Sequence, residues 1–501
     1  MIEKLFHYFR FFLPVLLFSV PTAVFPCGPS VTITSPMFGM PAFWLQGDNS
    51  TVTVKTSLPP AADTISIVLE KSNGPAAAEF ELEILQVSGS ESDRTITVSV
   101  PDTVPVDLFD LIIEIETDNS TITDTQPNAV KVIEKMKDSF SFIHLTDIHV
   151  DDIRGILANP AETLEYGVIY KTIEAINLID PEFVIITGDL VFGLSYFWEY
   201  IHLYEVLQKF DVPIFLSIGN HDAINHKWPL GGEYIDGMEM FQLLFAPLNY
   251  TFRYGDLLYI SLNSMDWTSG ERLGISILNF NWMGQIREEQ LDWFEEQLSG
   301  TAAELILAGL HHPPEQFSGQ GKNELKTLSR SYGVNAVFSG HTHYDRVTAD
   351  GEVLYITTGS LMFDFLSDIH PVFRQVNIEN NEIVSYAFDG SEASVPVYQE
   401  SLDADFQWQL KTPALSCTYR PANSVASKTV TATITNHLLQ SYPALSLEFV
   451  MPLPEAGKTY QATGGTVVGT LSAGEHQIWY VQTAVGPVEE TLVTLQEIAE
   501  P

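Results

Sequence analysis

Five short blocks hold the residues best suited to chemistry: Asp147-Ile148-His149, Gly188-Asp189, Gly219-Asn220-His221-Asp222, His311-His312-Pro313 and Gly340-His341-Thr342-His343. Between them they offer carboxylates, an amide and several imidazoles. A mixed oxygen and nitrogen donor set of this kind suits two metal ions that share one carboxylate. Such a pair makes hydroxide from water and clamps a phosphoryl group. His144, His202 and His226 lie outside the five blocks and are read as ordinary packed or surface histidines.

Donors at this spacing need rigid elements beneath them. Apolar runs at 183–186, 213–218, 305–308 and 336–338 read as buried strands, and each leads into one of the blocks. From Phe140 onward such runs alternate with helical patterns at 161–177, 196–209 and 288–298, the last carrying Leu291, Phe294 and Leu298 at helical spacing. This alternation predicts an α/β layer architecture. A strand end holds the backbone in a sheet while its side chain opens into a loop-lined crevice, which is where a ligand belongs.

The flanks follow another rhythm. Alternating stretches at 51–55, 66–69, 80–84, 95–98 and 111–115 are broken by turn-formers such as Pro59-Pro60, Ser72-Asn73-Gly74 and Ser88-Gly89-Ser90. The pattern returns at 429–434, 445–449, 476–481 and 490–495. The expected division is a signal segment 1–26, an N-terminal β-sandwich 27–137, an α/β core 138–392 and a C-terminal β-sandwich 393–501, the sandwiches being Ig-like.

The order and spacing of the five blocks resemble the calcineurin-like metallophosphoesterase family over residues 139–389. The resemblance implies a core of two packed mixed β-sheets flanked by helices. It also implies a dinuclear metal-dependent phosphoester hydrolase, either a phosphodiesterase or a phosphomonoesterase. Asp147, His149, Asp189 and His343 would hold the first ion; Asp189, Asn220, His311 and His341 would hold the second. Asp189 is then the bridge, and a hydroxide at the pair is the nucleophile. His221 would face the substrate, protonating the leaving group or stabilising the pentacoordinate state. The family's His-x-Pro pattern selects His311, which leaves His312 to support a ligand or touch substrate. Asp222 would orient its loop. Arg346 is read as a structural ion pair, with a substrate phosphate as the alternative.

One departure narrows the branch. Purple acid phosphatases lack the His of the first block and place a metal-binding Tyr three residues after the bridging Asp. Here His149 is present and that later position is Phe192. The chain therefore resembles the Asp-x-His branch, no purple iron centre is expected, and Mn, Fe and Zn all remain open. Stretches 223–255, 264–285, 313–322 and 361–371 are expected to wall the crevice. Their aromatics Trp228, Tyr234, Trp267, Trp282 and Phe363 are read as ordinary exposed or packed side chains, with stacking on a base or sugar as the alternative.

With 501 residues, 45% of them hydrophobic, the chain can fill two or three cores. Its 24 Lys+Arg against 64 Asp+Glu give a net charge of -40, which repels a nucleic-acid duplex and leaves a small phosphoester molecule as the expected partner. Lys4 and Arg10 precede an apolar stretch at 11–25 broken by Pro14 and Pro21, the pattern of an export signal. No long apolar run follows, so a periplasmic or extracellular protein with no transmembrane segment in the mature chain is expected. Cys27 and Cys417 are read as unpaired, with a lipid on Cys27 or a Cys27–Cys417 disulfide as alternatives. The oligomeric state stays open. The rival from another class is a non-catalytic surface binding or adhesion protein that uses the core as a scaffold.

Overall fold

The computed structural model describes residues 30–500 apart from 58–63, 72–77, 91, 118–119, 153–166, 194–196, 228–233, 273–281, 363–369, 389, 400–411 and 425. The signal segment, Cys27 with its proposed lipid or disulfide, Trp228 and Phe363 lie outside the described residues. So do the Pro59-Pro60 and Ser72-Asn73-Gly74 breaks.

Nine described strands build the N-terminal part: β1 (Val31–Ser35), β2 (Ala42–Leu45), β3 (Asn49–Thr56), β4 (Ile65–Lys71), β5 (Ala78–Glu81), β6 (Glu83–Gly89), β7 (Asp93–Ser99), β8 (Asp107–Glu116) and β9 (Thr121–Ile133). They pair as one sheet β1-β3-β7-β6 and a second β2-β9-β8-β4-β5. The alternation puts Val52, Val54, Ile96 and Val98 of the first sheet into one apolar cluster with Ile67, Leu69, Leu111 and Ile113 of the second. The stretch 80–84 does not run as a single strand, because β5 and β6 break at Leu82 and join different sheets.

Two mixed sheets form the centre. The first contains β10 (Phe140–Leu145), β11 (Phe183–Thr187) and β12 (Ile214–Ser217). A short hairpin follows, β13 (Asn225–Lys227) with β14 (Tyr234–Asp236). The second sheet contains β15 (Tyr250–Tyr254), β16 (Leu257–Ser261), β17 (Leu305–Gly309), β18 (Ala336–Ser339), β19 (Arg346–Asp350) and β20 (Val353–Thr357). The chain then returns to the first sheet through β21 (Val372–Glu379), β22 (Glu382–Ser385) and β23 (Val395–Pro396). The sheet orders are β12-β11-β10-β21-β22, with β23 on β21, and β15-β16-β17-β18-β20-β19. β10, β11 and β12 run parallel, as do β16, β17, β18 and β20.

Aromatic rings fill the space between these sheets. Phe142 meets Phe338 at 5.5 Å between centroids, and Phe215 stacks on Phe252 at 3.6 Å. Strand β17 is buried on both faces because Leu305 and Leu307 enter this inner core while Ile306 and Ala308 enter an outer one. Helices α1 (Gly167–Ile179), α2 (Phe197–Leu207), α3 (Gly237–Leu244), α4 (Glu288–Ser299) and α5 (Lys322–Ser331) accompany the sheets. Leu291, Phe294 and Leu298 of α4 and Leu325 of α5 cover the outer face of β17. The expected helices at 196–209 and 288–298 appear with shifted ends. Of the one at 161–177, the described part begins at Gly167.

Seven further strands close the chain: β24 (Leu415–Arg420), β25 (Thr429–Asn436), β26 (Tyr442–Pro452), β27 (Lys458–Thr463), β28 (Thr466–Ala473), β29 (His476–Val485) and β30 (Glu489–Ala499). They form sheets β24-β25-β30-β27 and β26-β29-β28. Their apolar residues, among them Ile434, Leu447, Phe449 and Leu495, are continuous with the central core and with Ile173 and Ile176 of α1. Among the described residues, no helix is long and apolar enough to cross a membrane.

Candidate metal centre

Each of the five blocks sits at the C-terminal end of a parallel strand: β10, β11 and β12 in one sheet, β17 and β18 in the other. Two of those turns are laced by backbone bonds, Asp147 N–H to Gly188 O at 3.1 Å and His149 N–H to Asp189 O at 3.0 Å. Leaving a strand so sharply requires unusual backbone. Asp147 (φ 54), His149 (φ 48), Asp189 (φ 52), His341 (φ 68) and His343 (φ 62) all adopt the left-handed region. That region costs a non-glycine residue on the order of 1–3 kcal/mol, and such strain concentrates at functional sites.

The glycines of the motifs have a packing reason. A Cβ on Gly340 would stand 1.8 Å from Thr146 Oγ1 and 2.5 Å from Asp147 Oδ2. One on Gly219 would stand 2.3 Å from Asp189 Oδ1. The ligand-bearing turns touch through these bare α-carbons.

Side chains from all five blocks converge. His343 Nε2 lies 3.2 Å and His149 Nε2 3.6 Å from Asp147 Oδ1. Asp189 Oδ2 faces His311 Nε2 at 3.1 Å, His149 Nε2 at 3.7 Å and His221 Nε2 at 4.0 Å. His311 Nε2 is also 3.0 Å from Asn220 Oδ1. His341 sets its ring edge-to-face with that of His311, centroids 5.2 Å apart, and its backbone N–H donates to Asp147 Oδ2 at 2.9 Å. Donor atoms within 4.8 Å of one another form four overlapping groups: Asp147/His149/His343, His149/Asp189/His221, Asp147/Asp189/His311 and His311/His312/His341. Asp189 belongs to two of these groups and lies between the other donors.

Several of these atoms lack a partner that the protein itself provides. Asp147 Oδ1 and both ring nitrogens of His149 are buried without a hydrogen bond. A buried polar atom left so is costly, and a cation among them removes that cost. The electrostatics agree. Burial works against a charged His311, but the Asp189 carboxylate outweighs it and lifts the imidazole to about 9. Burial likewise opposes ionisation of Asp147 and Asp189, yet the surrounding imidazoles, His343 and His311 foremost, hold both carboxyls below the usual range. Positive charge is favoured at the middle of the cluster. Carboxylate, amide and imidazole donors fit Mn, Fe or Zn ions.

Outer contacts decide which nitrogen each histidine offers. His311 Nδ1–H donates to Thr187 O at 2.7 Å, which turns Nε2 inward. His221 Nδ1–H donates to Phe192 O at 2.7 Å, so its Nε2 also points in, and its ring stacks on Phe192 at 5.5 Å. His312 differs. Its Nε2–H donates to Trp282 O at 3.0 Å, and its Nδ1 accepts from Ser264 Oγ at 2.8 Å, because that oxygen already accepts the His312 N–H. Both ring nitrogens are thereby engaged, which explains in physical terms why His311 rather than its neighbour faces Asp189. Asp222 is fully buried and accepts backbone N–H groups of Leu190, Val191 and Gly219, tying the β11 and β12 turns together.

Of the expected wall residues, Trp282 stands beside His221 with ring centroids 5.0 Å apart and remains partly exposed. Trp267 donates its indole N–H to Met283 O at 2.8 Å and so holds the Trp282 segment. Arg346 is exposed at the start of β19. His144 and His202 stay outside the cluster, the former bonded to Thr187 and Thr358 and the latter to Asp151. The supporting roles of the Thr187 carbonyl, of the Ser264 hydroxyl and of Thr146, whose hydroxyl donates to Asp147 Oδ2 at 2.7 Å, were missed from sequence, since no spacing signal marks such partners.

Comparison with known proteins gives four findings. The calcineurin-like phosphoesterase family matches residues 140–345. A probable glycerophosphodiester phosphodiesterase of Arcobacter nitrofigilis is 25% identical over 230 residues, spanning 44% of this chain and 77% of that protein. A probable cyclic nucleotide phosphodiesterase of Rhodococcus erythropolis is 22% identical over 242 residues, spanning 43% of this chain and 69% of that protein. Among solved structures, a purple acid phosphatase from yellow lupin (Lupinus luteus) seeds covers 70% of this chain and 69% of its own, at 13% identity and a TM-score of 0.39.

Proposed function

Residues 140–345 are a calcineurin-like metallophosphoesterase domain with a metal-dependent phosphoesterase site, and from that premise we propose that the protein hydrolyses a small phosphodiester. The convergence of donors on Asp189 Oδ2 carries this reading, and the phosphodiesterase names of both relatives favour a diester. Asp147, His149, Asp189 and His343 would hold one ion, and Asp189, Asn220, His311 and His341 the other. Mn, Fe or Zn would each suit these donors. Bound there, the ions lower the pKa of water and draw charge from the phosphoryl oxygens.

The chain's own residues do the rest. Asp189 turns Oδ2 toward His311 and His149 of the two donor groups, while its Oδ1 accepts the His221 N–H at 2.8 Å. His221, held by Phe192 O and flanked by the Phe192 and Trp282 rings, turns Nε2 toward the donor cluster, where the scissile bond would lie. As the imidazolium it would give its Nε2 proton to the departing alkoxide and be left neutral, with Nδ1–H still on Phe192 O. Trp282 shields that proton donor from water on its open side.

The shared apolar cluster of the two N-terminal sheets supports a β-sandwich of Ig-like type over 27–137. A second is read over 393–501, with the catalytic core at 138–392. The strand β23, just past that junction, pairs with β21 of the core and joins the two. The basic start and apolar stretch at 11–25 support export to the periplasm or exterior. Mass spectrometry of the mature N-terminus checks this: loss of the first 26 or so residues is expected, and an intact Met1 on cytoplasmic protein refutes it.

The activity test is turnover of bis(nitrophenyl) phosphate against nitrophenyl phosphate with added Mn²⁺. Faster hydrolysis of the diester is expected. A preference for the monoester would overturn the diester assignment. No turnover of either, with two ions bound per chain, would favour a non-catalytic binding role.

A further inference from the structure

The turn that bears His341 and His343 is left-handed at both histidines, and the residue that follows it, Tyr344, is exposed. What holds this turn on its outer side is Asp345. Its Oδ1 accepts from Gly359 N–H at 3.0 Å, Arg374 Nη2 at 2.7 Å and Ser394 Oγ at 2.6 Å. Its Oδ2 accepts from Ser394 N–H at 2.8 Å. Arg374 is fully buried and spends its other donors on Tyr386 O at 2.5 Å, Glu392 O at 3.1 Å and Thr358 Oγ1 at 3.0 Å.

The chain of contacts does not stop there. Since Thr358 Oγ1 accepts from Arg374, its own proton goes to His144 Nδ1 at 2.7 Å, and His144 Nε2–H goes to Thr187 Oγ1 at 2.8 Å. Thr187 O in turn accepts from His311 Nδ1–H at 2.7 Å. A polar relay, buried except at Asp345, thus runs beneath the metal centre, from Ser394 past the end of the family match to two of the candidate ligand blocks.

We propose that Asp345 and Arg374 are positioning residues that clamp the His341–His343 turn to the segment ending at Ser394, and so set the affinity of the centre for its ions. This rests on the metal-centre reading above. Neither residue is among the candidate ligands. Their effect passes through the turn, because a left-handed backbone relaxes once the contacts that over-determine it are removed. Losing an outer partner of a ligand typically weakens metal binding about 10- to 100-fold.

The test is calorimetric titration of the full, metal-stripped chain with Mn²⁺, read beside thermal unfolding in chelator. Asp345→Asn and Ser394→Ala are expected to raise the half-saturating Mn²⁺ roughly 10- to 100-fold. Arg374→Lys, which keeps the charge but not the fork, should fall between them and the parent. Leu447→Ala, in the C-terminal sheets, should lower the unfolding temperature and leave Mn²⁺ binding at the parent value. Ser394→Ala removes a single hydroxyl, so it reports even if Asp345→Asn fails to fold. Parent-like Mn²⁺ binding in Ser394→Ala, or an equal loss in Leu447→Ala, overturns the clamp while leaving the metal-centre reading intact. A parent chain that binds none of Mn²⁺, Fe²⁺ and Zn²⁺ overturns that reading, and the clamp with it.

Discussion

Asn220 and His221 leave the same strand end with different tasks, and that separation can be measured. Asn220 Oδ1 points at His311, whereas His221 is gripped from outside by Phe192 O. His221→Ala should therefore keep both ions and slow turnover by roughly two to four orders of magnitude, the range for a lost general acid. The loss should shrink for nitrophenolate, which needs little protonation. Equal losses across leaving groups would point to charge stabilisation instead. At Asp189 the expectation is reversed. Asp189→Ala should lose both ions, while His149→Ala should mainly weaken one, because the two proposed ligand sets share Asp189 alone. Elemental analysis decides, and two ions retained on Asp189→Ala would end the bridging assignment. At this scale the sequence was an effective guide, since metal chemistry demands particular atoms and those atoms name their residues.

Turns rather than strands limit what the elements tolerate. A Cβ on Gly340 would collide with Thr146 Oγ1 and press on Asp147 Oδ2, so Gly340→Ala should push the β10 and β18 ends apart. The cost expected is about 1–3 kcal/mol of stability, with weaker metal binding alongside. Denaturant unfolding at fixed chelator measures the first, and a variant as stable as the parent would contradict the close approach. Strand runs beneath the ligands were legible, because strands buried on both faces read as continuous apolar stretches. Helices α3 and α5 were not recognised. In α3 the signal existed: Asp236 caps it by accepting Met238 N–H at 2.9 Å, with Glu239 three residues on. In α5 only Leu325 and Ser329 are buried, too short an apolar stripe to show a period.

Across the whole molecule the flanking sheets grip the core and each other. Phe43 of β2 packs 4.9 Å from Tyr254, and Phe38 packs 5.1 Å from Tyr204. Lys71 and Asp107 form a buried ion pair at 2.7 Å, which Tyr480 of the C-terminal sheets joins through its hydroxyl. Segment 138–392 alone would expose the partners of Phe38 and Phe43, so it should be poorly soluble while still binding ions, more weakly than the full chain because Ser394 is gone. A freely soluble segment, by gel filtration, would argue against these contacts. The same junction gives a pH dependence. Burial lifts the Glu448 carboxyl to about 7, outweighing Lys71. A raised carboxyl favours the protonated folded state, so its contribution is full below the unfolded value of about 4.3 and is lost as pH rises through about 7. Unfolding temperature in chelator should therefore fall between about pH 5 and about pH 8, and Glu448→Gln should make that fall shallower. An unchanged slope would remove Glu448 as a contributor.

The amino-acid sequence by itself determined the donor types, their order and the strands that end at them. These are local facts: a carboxylate, an imidazole or an apolar run is written in adjacent residues. Tertiary structure alone decided how the donors are aimed. His312 is withdrawn by Ser264 and by Trp282 O, and His311 is turned inward by Thr187 O, partners that lie 48, 30 and 124 residues away. The same holds for Arg374, a lone cation in the sequence that becomes, once buried, the junction of four chain segments. Hydrogen-bond geometry is met within about 3 Å in space, whatever the separation along the chain, and no spacing rule in the sequence records it.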